Sequence, residues 1–106
     1  MHFSVDAKTA CVLRESGLSV RRGSVHMRYL PGEFYRYSPV VSKRQGCAAE
    51  RNRIKRITRE ILRKNAGKNP NGSYLVFLRG ECSALNRIII ERDIGILMNI
   101  IHETAR

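Results

Sequence analysis

The spacing of apolar residues divides the chain into stretches of two different periods. From residue 24 to 29, Val25, Met27 and Tyr29 alternate with Ser24, His26 and Arg28, which predicts a strand with one buried face. Pro31-Gly32 ends it as a turn. The following EFYRYSPVVSKR is rich in aromatic and β-branched residues. It predicts one short strand to about Tyr37 and another from Val40 to Ser42, with Pro39 confining them to a sheet edge or a strand start. SYLVFLRG, bounded by Gly72 and Gly80, is the strongest strand in the chain and is expected at the centre of the sheet.

Elsewhere the period is helical. Ile54, Ile57 and Ile61 gather on one face of a helix predicted over residues 47–65, with Leu62 at its edge and Gly67 and Pro70 as stop signals. Ile90, Ile94, Leu97, Met98 and Ile101 form a similar stripe in a last helix, with Asp93 near its start and His102 near its end. The β-branched run RIIIE leaves a strand there as the alternative. A weaker helix over residues 6–16 has Asp6 as its N-cap and Gly17 as its stop, with Ala10 and Leu13 facing inward.

The order αβββαβα specifies an α+β domain: a single-domain α/β sandwich, mostly antiparallel, whose four-stranded sheet carries packed helices. The strand near Val40 and the strand at residues 74–78 flank a helix and are expected as parallel neighbours, so the helix is their crossover. At 106 residues the whole chain, 1–106, reads as one domain with one core.

Charge adds a partner to this picture. Twenty Lys and Arg against nine Asp and Glu give a net charge of +11, a field that favours a polyanion. Residues 1–80 hold 17 of the basic and 5 of the acidic side chains. No apolar run approaches the roughly 18 residues needed to span a bilayer, and the start MHFSVDAKTA does not read as a signal peptide. A cytoplasmic protein is expected.

The predicted crossover helix concentrates the charge. Opposite its isoleucine stripe stand Asn52, Arg56, Arg59 and Arg63, flanked by Arg51 and Lys55 on one side and Arg53 and Lys64 on the other. A solvated helix face gains from opposite charges four apart and loses from like ones. Here Arg51/Lys55, Lys55/Arg59 and Arg59/Arg63 are all like pairs, with Glu60 the one acid set among them, to be offset by Arg56 or Lys64. Arginine suits bidentate phosphate contact and stacking on bases. Duplex RNA hides its bases in a deep major groove, so such a helix fits the shape and backbone of a folded RNA. A DNA-reading frame of helix-turn-helix or zinc type is absent, and no DNA partner is expected.

Protein-borne chemistry is sparse. Cys11, Cys47 and Cys82 are odd in number, widely separated and without zinc-ligand spacing, and read as reduced, buried thiols. His2, His26 and His102 have no partnered acid or nucleophile in sequence, so no catalytic residue and no metal ligand is assigned.

VVSKRQGCAAERNRIKRITREIL resembles the signature of the bacterial ribonuclease P protein component. The family's SKK, Gly and RNR-helix pattern is matched by Ser42-Lys43-Arg44, Gly46 and Arg51-Asn52-Arg53-Ile54-Lys55-Arg56, and Arg79 and Asp93 fit its usual pattern. The resemblance implies a small subunit that binds a catalytic RNA and precursor tRNA and assists removal of the 5′ leader. The RNA and its bound Mg2+ would perform the hydrolysis. Lys43, Arg44, Arg51, Asn52, Arg53, Lys55, Arg56, Arg59 and, on the same stripe, Arg63 would face RNA. The family's leader cleft lies between the first helix and the sheet; here its lining is expected from Val25, Met27, Arg28 and Tyr29, or from the opposite face with His26 and Arg28. Thr9-Ala10 stands where the family usually has a Phe, and no basic cluster precedes it. A ribosomal or other structural RNA-binding protein without a role in cleavage is the alternative reading.

Overall fold

A computed structural model describes residues 4–104. Helix α1 (Ala7–Ser16) leads into the hairpin of β1 (Leu18–Arg22) and β2 (Val25–Pro31), followed by β3 (Tyr35–Val40). A one-turn 3-10 helix (Lys43–Gln45) then opens into α2 (Ala48–Lys64), β4 (Gly72–Leu78), a second 3-10 turn (Cys82–Ala84) and α3 (Arg87–Thr104). The four strands form one sheet in the order β1-β2-β4-β3. β1 pairs β2 and β2 pairs β4 antiparallel, whereas β3 pairs β4 parallel, with Val40 opposite Phe77. The crossover from β3 to β4 is α2, as the pattern predicts, and β4 is central.

Two strands differ from the reading of the pattern. Leu18–Arg22 is a strand that was not expected, because an edge strand with exposed Ser19, Arg21 and Arg22 offers only Leu18 and Val20 as an alternating signal. The hairpin was legible instead in its turn: Arg22 pairs with Val25, leaving Gly23-Ser24 between them. Gly23 has φ 54°, the left-handed region that glycine enters without steric cost. The two short strands expected around Tyr37 and Val40 are one strand, β3. Pro39 interrupts no ladder there, since β3 is an edge paired only with β4.

The alternation seen in the sequence decides which face is the core. Val25, Met27, Tyr29, Tyr35, Tyr37, Tyr74, Val76 and Leu78 point to one side and meet the buried stripes of α2 and α3. Tyr29, Tyr35 and Tyr74 pack as tilted rings, with centroids 4.8 Å apart for Tyr29/Tyr74 and 5.4 Å for Tyr35/Tyr74. Their hydroxyls donate to the carbonyls of Asn71, Leu62 and Pro70 respectively, so each of these three phenols has a partner. The other face carries α1, where Leu13 and Leu75 are buried outside that cluster.

Two polar devices hold the layers together. Arg28 Nε donates to the carbonyl of Leu13 and its Nη2 to that of Gly17 at 3.4 Å, satisfying the C-terminal end of α1 from β2. Asp93 is 1% exposed on α3 and accepts from the backbone N–H and hydroxyl of Ser24, each at 3.4 Å, with Arg22 and Arg92 beside it. A Cβ on Gly23 would lie 2.7 Å from that carboxylate, so the hairpin turn is seated directly on it. Replacing Asp93 by Ala leaves the Ser24 donors unpaired and is expected to cost about 1–3 kcal/mol in urea unfolding. Amide exchange at Ser24 is expected to accelerate at the same time.

Candidate nucleic-acid interface

α2 is preceded by its N-cap, Cys47, whose backbone N–H donates to the Glu50 carboxylate at 3.1 Å. That hydrogen bond holds Glu50 below its ordinary pKa. Glu60 receives the guanidinium of Arg87 from α3, and the same contact lowers its pKa. Its ion-pair partner is Arg87, while the helix neighbour Arg56 expected from spacing, together with Arg63, acts on it through charge alone. Both acids of α2 are ionised and committed, one to the helix cap and one to α3.

The cations divide into two groups. Asn52, Arg56, Arg59 and Arg63 are exposed along one stripe, opposite buried Ile54, Ile57, Thr58, Ile61 and Leu62. Thr58 joins the core by donating its hydroxyl to the Ile54 carbonyl at 2.8 Å. Among the described residues none of Arg56, Arg59 or Arg63 forms a salt bridge. Arg51 and Arg53 are half-buried and hold the frame. Arg51 Nε donates to the Gly46 carbonyl at 3.1 Å, while Arg53 Nη2 donates to the carbonyls of Cys82 at 3.2 Å and Leu85 at 3.4 Å. Periodicity could not separate these two roles. Lys55 is half-buried, and Lys43 and Arg44 are exposed on the turn before α2.

On the α1 face the sheet offers a different surface. Across the strands, Val40, Phe77, His26 and Arg21 lie in register. The His26 and Phe77 rings are stacked with centroids 5.5 Å apart and 28° between planes. His26 Nε2 lies 2.6 Å from the Ser19 hydroxyl. Burial, then the charges of Arg21, Arg79 and Arg28, lowers the His26 pKa below its ordinary 6.5. Neutral imidazole over a phenyl ring, rimmed by arginines, is a surface on which an unpaired base can stack.

Three of the expected cleft residues are thereby corrected. Val25 and Met27 are 0% exposed and Tyr29 is 3% exposed, because their parity points into the α2 and α3 core. Arg28 is on the open face but is engaged with the end of α1. His26, named with Arg28 as the alternative, lies on the open face in register with Phe77. Phe77 escaped the sequence reading because SYLVFL is apolar on both faces and masks its own alternation. The cysteines also differ from expectation: Cys82 is buried, but Cys11 and Cys47 are exposed, and all three are free. Phe34 is 55% exposed with the Arg36 guanidinium 5.7 Å from its ring centroid.

Among the described residues no three His, Cys, Asp or Glu lie together as a metal site. The α2 surface is built of ammonium and guanidinium groups, which do not ligate cations, so these residues do not fit a protein-held magnesium ion. Among the described residues no helix is long and apolar enough to cross a membrane.

The sheet, its crossover helix and the cationic stripe define a small basic α/β protein with a cationic outer helix face. The family model for Ribonuclease P matches residues 11–102, and the chain belongs to that family. It is 38% identical over 67 residues to the ribonuclease P protein component of Coprothermobacter proteolyticus, covering 63% of this chain and 56% of that protein. With its counterpart from Syntrophus aciditrophicus the identity is 31% over 67 residues, covering 62% and 56%. These matches thus span just over half the length of each relative. The fold is similar to that of the RNase P protein of Staphylococcus aureus, with TM-score 0.83 at 19% identity over 95% of this chain and 96% of that one. It is also similar to the Thermotoga maritima RNase P protein, with TM-score 0.81 at 24% identity over 92% and 96%.

The two groups of arginines predict different outcomes. Arg53→Ala is expected to lower stability by about 1–2 kcal/mol by removing the donor to two backbone carbonyls, whereas Arg56→Ala leaves the melting temperature within a degree or two. Thermal unfolding of both variants checks this. Because the folded-state pKa of His26 is lowered, its contribution to stability is present above pH 6.5 and is lost as pH falls below that value. Urea unfolding at pH 7.5 and pH 5 measures it, and His26→Gln is expected to flatten the difference.

Proposed function

We propose that this chain is the protein subunit of a ribonuclease P ribonucleoprotein, binding a catalytic RNA and precursor tRNA and assisting removal of the 5′ leader. The observation that carries the reading is the outer face of α2, whose two acids are withdrawn to the cap and to Arg87 while Arg56, Arg59 and Arg63 project together. Like charges at that spacing repel, and a polyphosphate backbone relieves the repulsion.

In this reading Asn52, Lys55, Arg56, Arg59 and Arg63 contact the folded RNA, with Lys43 and Arg44 beside them. Arg51 and Arg53 hold the turns on either side of the helix start and have their remaining N–H groups available to phosphate. The leader, being single-stranded, lies on the α1 face, where His26 and Phe77 offer a stacking platform and Arg21 and Arg79 neutralise its backbone. The protein supplies binding and charge neutralisation and no nucleophile or general base. Mg2+ held by the RNA would supply the Lewis acid for phosphodiester hydrolysis. Localisation in the cytoplasm, where precursor tRNA is processed, goes with this role and with the free thiols.

Reconstitution tests the proposal. Adding the protein to its cognate RNA subunit and precursor tRNA is expected to raise 5′ leader cleavage at low magnesium, and no gain would refute it. Co-sedimentation with ribosomal particles in place of such a gain would favour a structural RNA-binding role. The double change Arg56→Ala and Arg59→Ala is expected to flatten the dependence of log affinity on log salt by about two units. A salt titration of RNA binding reads this directly, and the unchanged fold follows from the exposure of both residues.

A further inference from the structure

Gln45 stands where the two proposed RNA-facing surfaces meet. Its side-chain Oε1 accepts from the Ser42 backbone N–H at 2.8 Å. Its Nε2 donates to the carbonyls of Leu78 and Gly80, both at 2.8 Å. Both amide protons and the carbonyl are thus used on backbone. The two acceptors bracket Arg79, whose own N–H donates to the Ser24 carbonyl at 2.8 Å. The end of β4 is therefore held by the β1–β2 turn from one side and by Gln45 from the other.

What Gln45 joins is chemically uniform. Its own 3-10 turn carries Lys43 and Arg44, both exposed, and passes through Gly46 into the start of α2. Arg79 is exposed two residues after Phe77, on the parity of the stacking platform, and its charge reaches His26. Among the described residues Lys43, Arg44 and Arg79 form no salt bridge. Loops between separate elements normally move independently. Here one side chain fixes the spacing between the start of the cationic helix and the end of the platform.

We propose that Gln45 is a positioning residue: it sets the crossing, lined by Lys43, Arg44 and Arg79, over which one RNA strand passes from the α2 face to the Phe77/His26 platform. This rests on the leader-binding reading above. Gln45→Met keeps the volume and removes all three bonds. Gln45→Glu keeps the acceptor for Ser42 but sets a carboxylate against two carbonyl oxygens.

The test uses the holoenzyme assembled from wild-type or variant protein with the cognate RNA subunit. Affinity is measured for precursor tRNA with a leader of about eight nucleotides and with a leader cut to about one, lengths that span and abolish a single-stranded platform contact. Both variants are expected to bind the RNA subunit within twofold of wild type while the preference for the long leader falls at least fivefold. A merely structural loss would weaken RNA-subunit binding without changing that preference. A preference within twofold of wild type in either folded variant overturns the role of Gln45 and leaves the leader reading standing. A wild-type holoenzyme with no leader preference overturns the leader reading and the role together. Should neither variant fold, the side-chain amide resonances of wild-type Gln45 decide: they are expected to shift when a leader oligonucleotide is added to the holoenzyme, and unshifted resonances refute the proposal.

Discussion

Burial of one apolar stripe beneath α2 opposes the repulsion along the other side of the same helix. Ile54, Ile57, Ile61 and Leu62 are 0–8% exposed against the sheet, and each such side chain contributes about 1.5–3 kcal/mol when buried. A like-charged pair four residues apart costs only about 0.2–0.5 kcal/mol. The stripe therefore outweighs the repulsion severalfold, and the helix tolerates a nearly unbroken cationic face before any partner is present. The parallel pairing of β3 with β4 requires a crossover, and placing the cations on that crossover anchors them at both ends to the sheet.

The same economy of acids and bases runs through the rest of the molecule. The acids engaged in the described structure are used to fasten elements: Asp6 accepts from Thr9 at the start of α1, Glu50 caps α2, Glu60 ties α2 to α3, and Asp93 seats the hairpin. Arginines with backbone acceptors, namely Arg28, Arg51 and Arg53, likewise belong to the frame. Subtracting both sets leaves the outward cations as a surface with a direction, which net charge alone does not convey.

Much of this was legible in one dimension because one-sided burial imprints a period. The stripes of α2 and α3 and the alternation of Val25, Met27 and Tyr29 state their geometry outright, and each residue so marked is buried. The period says which residues share a face but not which face a partner takes, so Val25, Met27 and Tyr29 were open to being read as cleft or as core. It also fails where both faces are apolar, as at Phe77, and where only two residues mark the apolar face, as Leu18 and Val20 do in β1. Side-chain to backbone contacts leave no period at all. The separation of Arg53 from Arg56, and the clamp formed by Gln45, depend on carbonyls about thirty residues away in sequence.

Pro39 has a bearing on how the protein keeps company with itself. An edge strand presents unpaired N–H and C=O groups on which another chain can add a strand. β3 is such an edge, and Pro39 removes one of its donors near the strand's end. The opposite edge, β1, is five residues long and ends in Arg21 and Arg22. Both margins of the sheet thus discourage lateral growth into aggregates, by a missing hydrogen in one case and by charge in the other. A second copy of the chain therefore finds no long, unguarded edge to extend.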